Sequence, residues 1–318
     1  MTNNKQQHLI LGGAGVIGQA VIDELLQKNI PVKAVELNKE VEKVETIKAN
    51  LLNFNETQKA IQGATHVYLC IGLQYNSKIW SEQWPVLVEN IIKACSNTNA
   101  KLIFFDNIYM YGPAPLSIPF NETANQNPQS VKGKVRKKIA DMVLDAHKAN
   151  KVEAVIGRSA DFYGPNAKNS SLYINFLQNI LNDKNPGWIG KQNQKHTYAF
   201  TTDNGKALVQ LALDDSAYGE VWHLPVGEKI ETEKILEIIN QELHSNYTIS
   251  FMPRFLLNIL STFIPILKEV KEVLYQFDNT YEMSWKKFHT KFPDFKVTSY
   301  EQGFREMIKS FKNNARSI

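Results

Sequence analysis

Apolar and polar positions follow a strand–helix rhythm through the first half of the chain. Leu9-Ile10-Leu11 is a short apolar run that passes directly into Gly12-Gly13-Ala14-Gly15-Val16-Ile17-Gly18, and Gln19 to Lys28 is amphipathic. This predicts strand, tight glycine turn and helix. Ile30 to Glu36 predicts a second strand. Val44 to Lys48 predicts a short third one leading into Asn50-Leu51-Leu52, and Asn55 to Gln62 a helix. His66 to Ile71 reads as a buried strand ended by Gly72. Val88, Ile91, Ile92 and Cys95 mark one face of a helix over Val86 to Ser96. Lys101 to Phe105 is a fifth strand. Val131 to His147 is a helix with Val135, Ile139, Met142 and Ala146 along one stripe, and Val152 to Ile156 is a sixth strand. Such alternation implies a doubly wound α/β fold, a parallel sheet covered by helices on both faces.

The rhythm changes after Gly164-Pro165. Loops lengthen, Pro186-Gly187 and Pro225 punctuate them, and Val221 to Leu224 reads as one further strand. The remainder is expected to be mainly helical, with an aromatic-rich run from Tyr275 to Trp285.

The glycine turn carries the first chemistry. One glycine makes the turn, one lets a pyrophosphate approach the backbone, and one lets helix and strand pack closely. The phosphates then meet the free N–H groups at the helix N-terminus, at Val16 and Ile17. The second strand ends at Glu36, 21 residues after Gly15, where an acid reaches the adenosine ribose hydroxyls. A carboxylate there would repel the additional phosphate of NADP, so NAD is the expected cofactor; Lys33 and Lys39 nearby leave NADP open. Residues 1–165 are therefore expected to form a Rossmann domain, completed by elements within about 195–225. Residues 166–318 are expected to be mainly a substrate-binding lobe interleaved with it.

Composition narrows the picture further. With 43% hydrophobic and 21% charged residues among 318, the chain has the balance of an ordinary soluble protein. A net charge of +4 is too mild to argue for nucleic acid. Cys70 and Cys95 fall in apolar contexts and read as core residues; no metal-ligand spacing is present. Met1 to Gln7 is polar and does not read as a signal peptide, so a cytoplasmic location is expected. Phe255 to Leu267 is the longest apolar segment. It is interrupted by Asn258, Ser261, Thr262 and Pro265 and too short to span a bilayer; an interfacial membrane helix is one reading, and a helix of the substrate lobe or of a dimer surface is the favoured one. Membrane contact is not expected.

These landmarks resemble the extended short-chain dehydrogenase/reductase superfamily, the NAD-dependent epimerase/dehydratase group, over about residues 8 to 310. Gly12, Gly15 and Gly18 match its G-x-x-G-x-x-G register. Asn50-Leu51 stands where the family has Asp-Leu beside the adenine, and Cys70-Ile71-Gly72 where strand four lines the cofactor. Tyr111-Gly112 and Phe162-Tyr163-Gly164-Pro165 match its two Tyr-Gly landmarks, and Thr201 to Asn204 with Lys206-Ala207-Leu208 its late Asp-then-Ala helix start. The resemblance implies the fold, a nicotinamide cofactor and, commonly, a homodimer through the helices at Val86–Ser96 and Val131–His147.

The catalytic positions depart from the family. Asn107, preceded by Asp106, aligns with its serine or threonine; Lys132 aligns with its tyrosine and Arg136 with its lysine. Arg136 remains charged and can hold a ribose but cannot act as a base. Lys132, one turn away, is expected to lose proton affinity beside Arg136 and a cationic nicotinamide and to act as general acid or base. A solvated basic face, or a clamp for an anionic substrate group, fits the same two residues. Tyr109 is a second proton-donor candidate, and Tyr111 is substrate-lining or structural. Asp106 would accept from Lys132 or substrate, and Asn107 would stabilise a carbonyl. Asp161 and His196 are candidate substrate contacts, Asp161 with Arg158 as an alternative partner. Two functions follow: hydride movement at an alcohol or carbonyl carbon of a sugar nucleotide or small carbonyl compound, or a non-catalytic dinucleotide sensor or scaffold.

Overall fold

A computed structural model describes residues 6–315. Most of the polar N-terminal stretch read above, residues 1–5, lies outside them. The leading apolar run forms β1 (His8–Leu11), followed by α1 (Val16–Gln27), β2 (Val32–Glu36), β3 (Thr46–Lys48), α2 (Phe54–Ile61) and β4 (His66–Leu69). Then come α3 (Ser77–Thr98), β5 (Lys101–Asp106), α4 (Val131–Lys148), β6 (Ala154–Arg158), α5 (Thr201–Ala212) and β7 (Val221–His223).

The seven strands form one sheet in the order β7-β6-β5-β4-β1-β2-β3, with every pairing parallel. All residues of β1, β4 and β6 are buried. That is why they read as continuous apolar runs: each face of a parallel sheet is covered. The strand order reverses at β1, whose Leu11 is in register with Val35 on one side and Leu69 on the other. This switch point opens a crevice at the carboxyl ends of the strands.

Several boundaries shift from the sequence reading: α1 starts at Val16 rather than Gln19, β6 spans Ala154–Arg158 rather than Val152–Ile156, and the largest change is in α3. α3 begins at Ser77, well before Val86, and runs through Pro85. Proline inside a helix costs about 3 kcal/mol, which is why the periodicity was legible only after it. The first half of the helix holds because Asn76 caps it and because Trp80 and Trp84 are buried, packed edge-on at 6.3 Å. Burying an indole is worth about 4 kcal/mol or more at the usual area coefficient. Cys70 and Cys95 are both buried free thiols, as their apolar contexts predict.

The chain divides into two compact units. The first comprises residues through Asn107, Lys134–Arg158 and Asn204–Leu224, and holds the whole sheet. The second comprises Ile108–Gly133, Ser159–Asp203 and the residues from Pro225 onward. It contains α6 (Thr232–Leu243), α7 (Arg254–Phe263), α8 (Pro265–Lys271), α9 (Lys286–Lys291) and α10 (Tyr300–Ala315). Short strand pairs join Phe162–Tyr163 to Ala199–Phe200, Lys195–His196 to Ile230–Glu231, and Gly187–Trp188 to Ser250–Phe251. The aromatic-rich run is not a continuous helix: Tyr281 bridges to His196, and Met283 to Phe120. Asp203, the acid of the late landmark, is fully buried and accepts the Thr298 N–H at 2.8 Å and its hydroxyl at 3.0 Å. No helix among the described residues is long and apolar enough to cross a membrane.

Candidate functional site

The first unit builds a cradle from backbone. Gly12 has φ +88°, and a Cβ there would lie 2.9 Å from the Ile71 Cα. A Cβ on Gly18 would collide with the Gly12 carbonyl oxygen. Only glycine accepts both the left-handed turn and the helix–strand approach. Gly15 sits in extended conformation as the N-cap of α1 and supplies no capping side chain. The amides of Val16 and Ile17, in the first helical turn, have no intrahelical acceptor and face outward along the helix dipole. Gly72 borders open space on the other side of β1, with nothing within 4 Å of its Cβ position.

Glu36 joins this cradle directly. One carboxylate oxygen accepts the N–H of Ala14, 22 positions earlier, at 2.6 Å, so the acid is tied to the glycine turn. Asn50 is exposed; its side chain accepts the Leu52 N–H at 3.1 Å and its own N–H donates to Glu56 at 2.7 Å. Leu51 is buried, its carbonyl accepting from Thr57 and Asn90 at 3.1 Å each. The cradle a Cβ would fill, the open helix end and the placed acid together fit the adenosine diphosphate half of a dinucleotide.

At the end of β5 the same unit contains a buried charge cluster. Asp106 is fully buried; one of its oxygens takes Arg136 through Nε at 2.8 Å and a terminal nitrogen at 2.5 Å. The other oxygen takes Arg158 Nε at 3.1 Å. The Arg136 guanidinium lies over the Trp84 ring at 4.8 Å and the Phe104 ring at 5.1 Å. Asp106 also accepts the Asn107 N–H at 2.9 Å, which fixes the residue at the family's serine position. Arg158 thus pairs with Asp106, and Asp161 belongs to the other unit.

The unit boundary falls after Gly133, inside α4, so Lys132 belongs to the second unit. Its side chain is fully buried, with the ammonium held by Glu269 and by Glu272 at 3.3 Å. Its backbone N–H donates to Glu272 at 2.6 Å, and Ser130 caps the Gly133 N–H at 3.0 Å. Gly133 has no room for a side chain, since a Cβ would lie 2.5 Å from the Tyr109 carbonyl oxygen. The electrostatic surroundings expected from the sequence are therefore replaced. Two carboxylates neutralise the ammonium, and Arg136 is spent on Asp106. The reason is fold-level: α8 delivers acids from far along the chain to the start of α4.

The second unit also gathers a buried polar cluster. His196 is 5% exposed, and its Nε2 meets the carbonyls of Gln276 at 3.0 Å and Asn279 at 2.9 Å. Burial lowers its pKa, while those two carbonyls oppose the shift. Its Nδ1, the Tyr198 hydroxyl and the Gln276 Oε1 are buried without a hydrogen-bond partner among the described residues. The Gln276 amide nitrogen lies 3.4 Å from the hydroxyls of both Tyr275 and Tyr281. The Tyr275 hydroxyl donates to the carbonyl oxygens of Tyr109 and Tyr111 at 3.2 Å each. Tyr109 is half-buried; Tyr111 is fully buried with its ring 5.3 Å from Phe120. Asp161 is half-buried, and desolvation pushes its carboxyl up to about 6. Burial raises the Tyr198 and Tyr281 phenols, and the Asp161 charge raises them further.

Sequence reading did not single out Glu269, Glu272, Gln276 or Tyr281. Tyr275, Gln276 and Tyr281 lie in the aromatic-rich run noted above, the one signal that pointed there. Glu269 and Glu272 follow the apolar segment three residues apart, with nothing to connect them to a lysine 137 and 140 positions earlier. Among the described residues no group of three or more His, Cys, Asp or Glu is placed to hold a metal ion.

Comparison with known proteins agrees with this geometry. A curated relative, dTDP-4-dehydro-6-deoxyglucose reductase of Escherichia coli, is 22% identical over 86% of this chain and 93% of its own length. The structure of UDP-glucuronic acid 4-epimerase from Bacillus cereus in complex with NAD superposes with a TM-score of 0.80 at 17% identity, covering 97% of this chain and 99% of that one. UDP-glucose 4-epimerase of Thermus thermophilus, also solved with NAD, gives 0.79 at 15% identity, covering 96% and 99%. The family model for the NAD dependent epimerase/dehydratase family matches residues 8–224. Spanning the glycine turn, all seven strands and both charge clusters' α4 residues, that match places the chain in the NAD dependent epimerase/dehydratase family.

Proposed function

We propose that this protein binds NAD and moves a hydride at an alcohol or carbonyl carbon of a sugar nucleotide. The observation that carries this reading is the bond from Glu36 to the Ala14 amide beside the open N-terminus of α1. One carboxylate oxygen is spent on the turn, leaving the other to accept from the ribose hydroxyls, which disfavours a 2′-phosphate at the same place. Gly12, Gly15, Val16, Ile17 and Gly18 would hold the pyrophosphate; Asn50, Leu51, Ile71 and Gly72 would line the adenine and ribose. The bound nicotinamide supplies reversible hydride acceptance. The sugar-nucleotide names of the relatives support the substrate class.

In this reading the family's tyrosine–lysine pair is replaced rather than imitated. Arg136 is a positioning residue: through Asp106 it fixes the end of β5 and Asn107, which donates to a substrate oxygen. Lys132 holds Glu269 and Glu272 in place and presents a cluster of net charge −1. Asp161 is the candidate proton carrier of the second unit: desolvation pushes its carboxyl up to about 6, a value suited to exchange near neutral pH. Tyr111 and His196, read from the sequence as substrate-lining, are buried and engaged within the second unit, so they support its core rather than contact the substrate.

The engagement of both Lys132 and Arg136 in ion pairs favours a second reading, a dinucleotide sensor without turnover. One experiment separates them. Calorimetric titration with NAD, NADH, NADP and NADPH is followed by a search for nicotinamide absorbance changes with sugar nucleotides. Preferential NAD(H) binding with turnover supports the enzyme, tight binding with inert cofactor supports the sensor, and no binding overturns both.

A further inference from the structure

Helices α7 and α8 turn their apolar side chains outward. In α7 only Leu257 and Ser261 are buried, and they form the inward stripe. On successive turns of the opposite stripe stand Phe255, 68% exposed, Ile259, 53%, and Phe263, 80%. Ile264 and Ile266, also exposed, continue the surface into α8, none of whose residues is buried. Isolated exposed apolar residues are ordinary, but a run of large ones on one face marks a surface that meets another apolar phase.

Charge says which phase. From Arg254 to Lys271 the one acidic residue is Glu269, and it turns inward to Lys132. The cations Lys268 and Lys271 are exposed. The outward surface is therefore aromatic and aliphatic with a cationic margin, the pattern of a helix lying in the headgroup–acyl boundary of an anionic bilayer. A second copy of the chain suits it less well, since a symmetric contact would bring like charges together. At 10 and 7 residues the two helices are too short to cross a bilayer but long enough to lie in its surface. The sequence left an interfacial membrane helix as the less favoured of three readings of this segment; the exposure of Phe255, Ile259 and Phe263 favours it.

We propose that the α7–α8 surface docks the protein on anionic phospholipid. The test is co-sedimentation of the full chain with vesicles of phosphatidylcholine alone or mixed with phosphatidylglycerol. Binding to the mixed vesicles is expected to exceed that to neutral ones by roughly thirty-fold at low salt, from two surface lysines. The Phe255→Ser/Phe263→Ser variant is expected to lose binding to both, and Lys268→Gln/Lys271→Gln to lose only the anionic preference. Both variants alter exposed side chains, so an unchanged melting temperature confirms that folding is intact. Failure of the wild type to sediment with either vesicle, or equal binding to both, overturns the proposal. So does a concentration-dependent dimer that Phe263→Ser abolishes, which would assign the surface to a second copy.

Discussion

Two basic residues one helical turn apart on α4 end in charge clusters of opposite sign. Arg136 and a second guanidinium, Arg158, share one carboxylate, Asp106, with side chains all at most 5% exposed. Lys132 is one cation between two carboxylates, and those retain 16% and 17% exposure. The first cluster is dry and braced by aromatic rings; the second keeps its acids at the edge of water. Neighbouring positions on a helix thus share no common electrostatic fate. What surrounds each is set by the unit that each joins.

Removing Asp106 should break the comparison most severely. Asp106→Ala leaves two buried guanidinium groups without a counter-charge, a loss of about 3–5 kcal/mol. Chemical denaturation measures it directly. Lys132→Met should cost less, about 1–3 kcal/mol, because the abandoned carboxylates can recruit water. It should leave NAD affinity unchanged. Equal losses in the two variants would show that the difference in exposure does not matter.

Acidity should sharpen the contrast between the units. In the first, His8 and His66 stack at 4.3 Å. Burial together with the neighbouring His66 lowers His8 to about 3, and burial together with the Lys101 charge lowers His66 to about 4. Both stay neutral in the fold, while the unfolded chain takes up protons from about 6.5. Their contribution is complete above that pH and is lost as the pH falls toward 4 and then 3, by at most about 1.4 kcal/mol per unit for each histidine. His66→Gln should flatten the acid limb of a stability–pH curve.

Asp161 in the second unit acts with the opposite sign and a smaller amplitude. Its folded value, about 6, lies above the ordinary 3.8, so the folded state holds the proton more tightly. That contribution is present below 3.8 and lost as the pH rises through 6. Asp161→Asn should remove this slope from denaturation curves. On the proposed mechanism it should also abolish the inflection near pH 6 in turnover; an unchanged inflection would remove Asp161 from proton transfer.

Much of the first unit was legible along the chain. A parallel sheet buried on both faces needs continuous apolar strands, and a phosphate turn needs glycines where a Cβ cannot fit. Gly12, Gly18 and Glu36 therefore announce themselves within three dozen residues. Local spacing determined the strand order's raw material, the cradle and the family to which the chain belongs.

The surroundings of the candidate catalytic residues were decided only by the tertiary structure. Lys132 meets acids 137 and 140 positions away, and Arg136 meets the end of a strand 30 positions earlier. The direction faced by Phe255, Ile259 and Phe263 is likewise a property of packing, since the same periodicity serves a buried helix and an exposed one. Periodicity records which residues share a face. Charge pairing and exposure depend on what the rest of the chain brings to that face, and no local pattern encodes it.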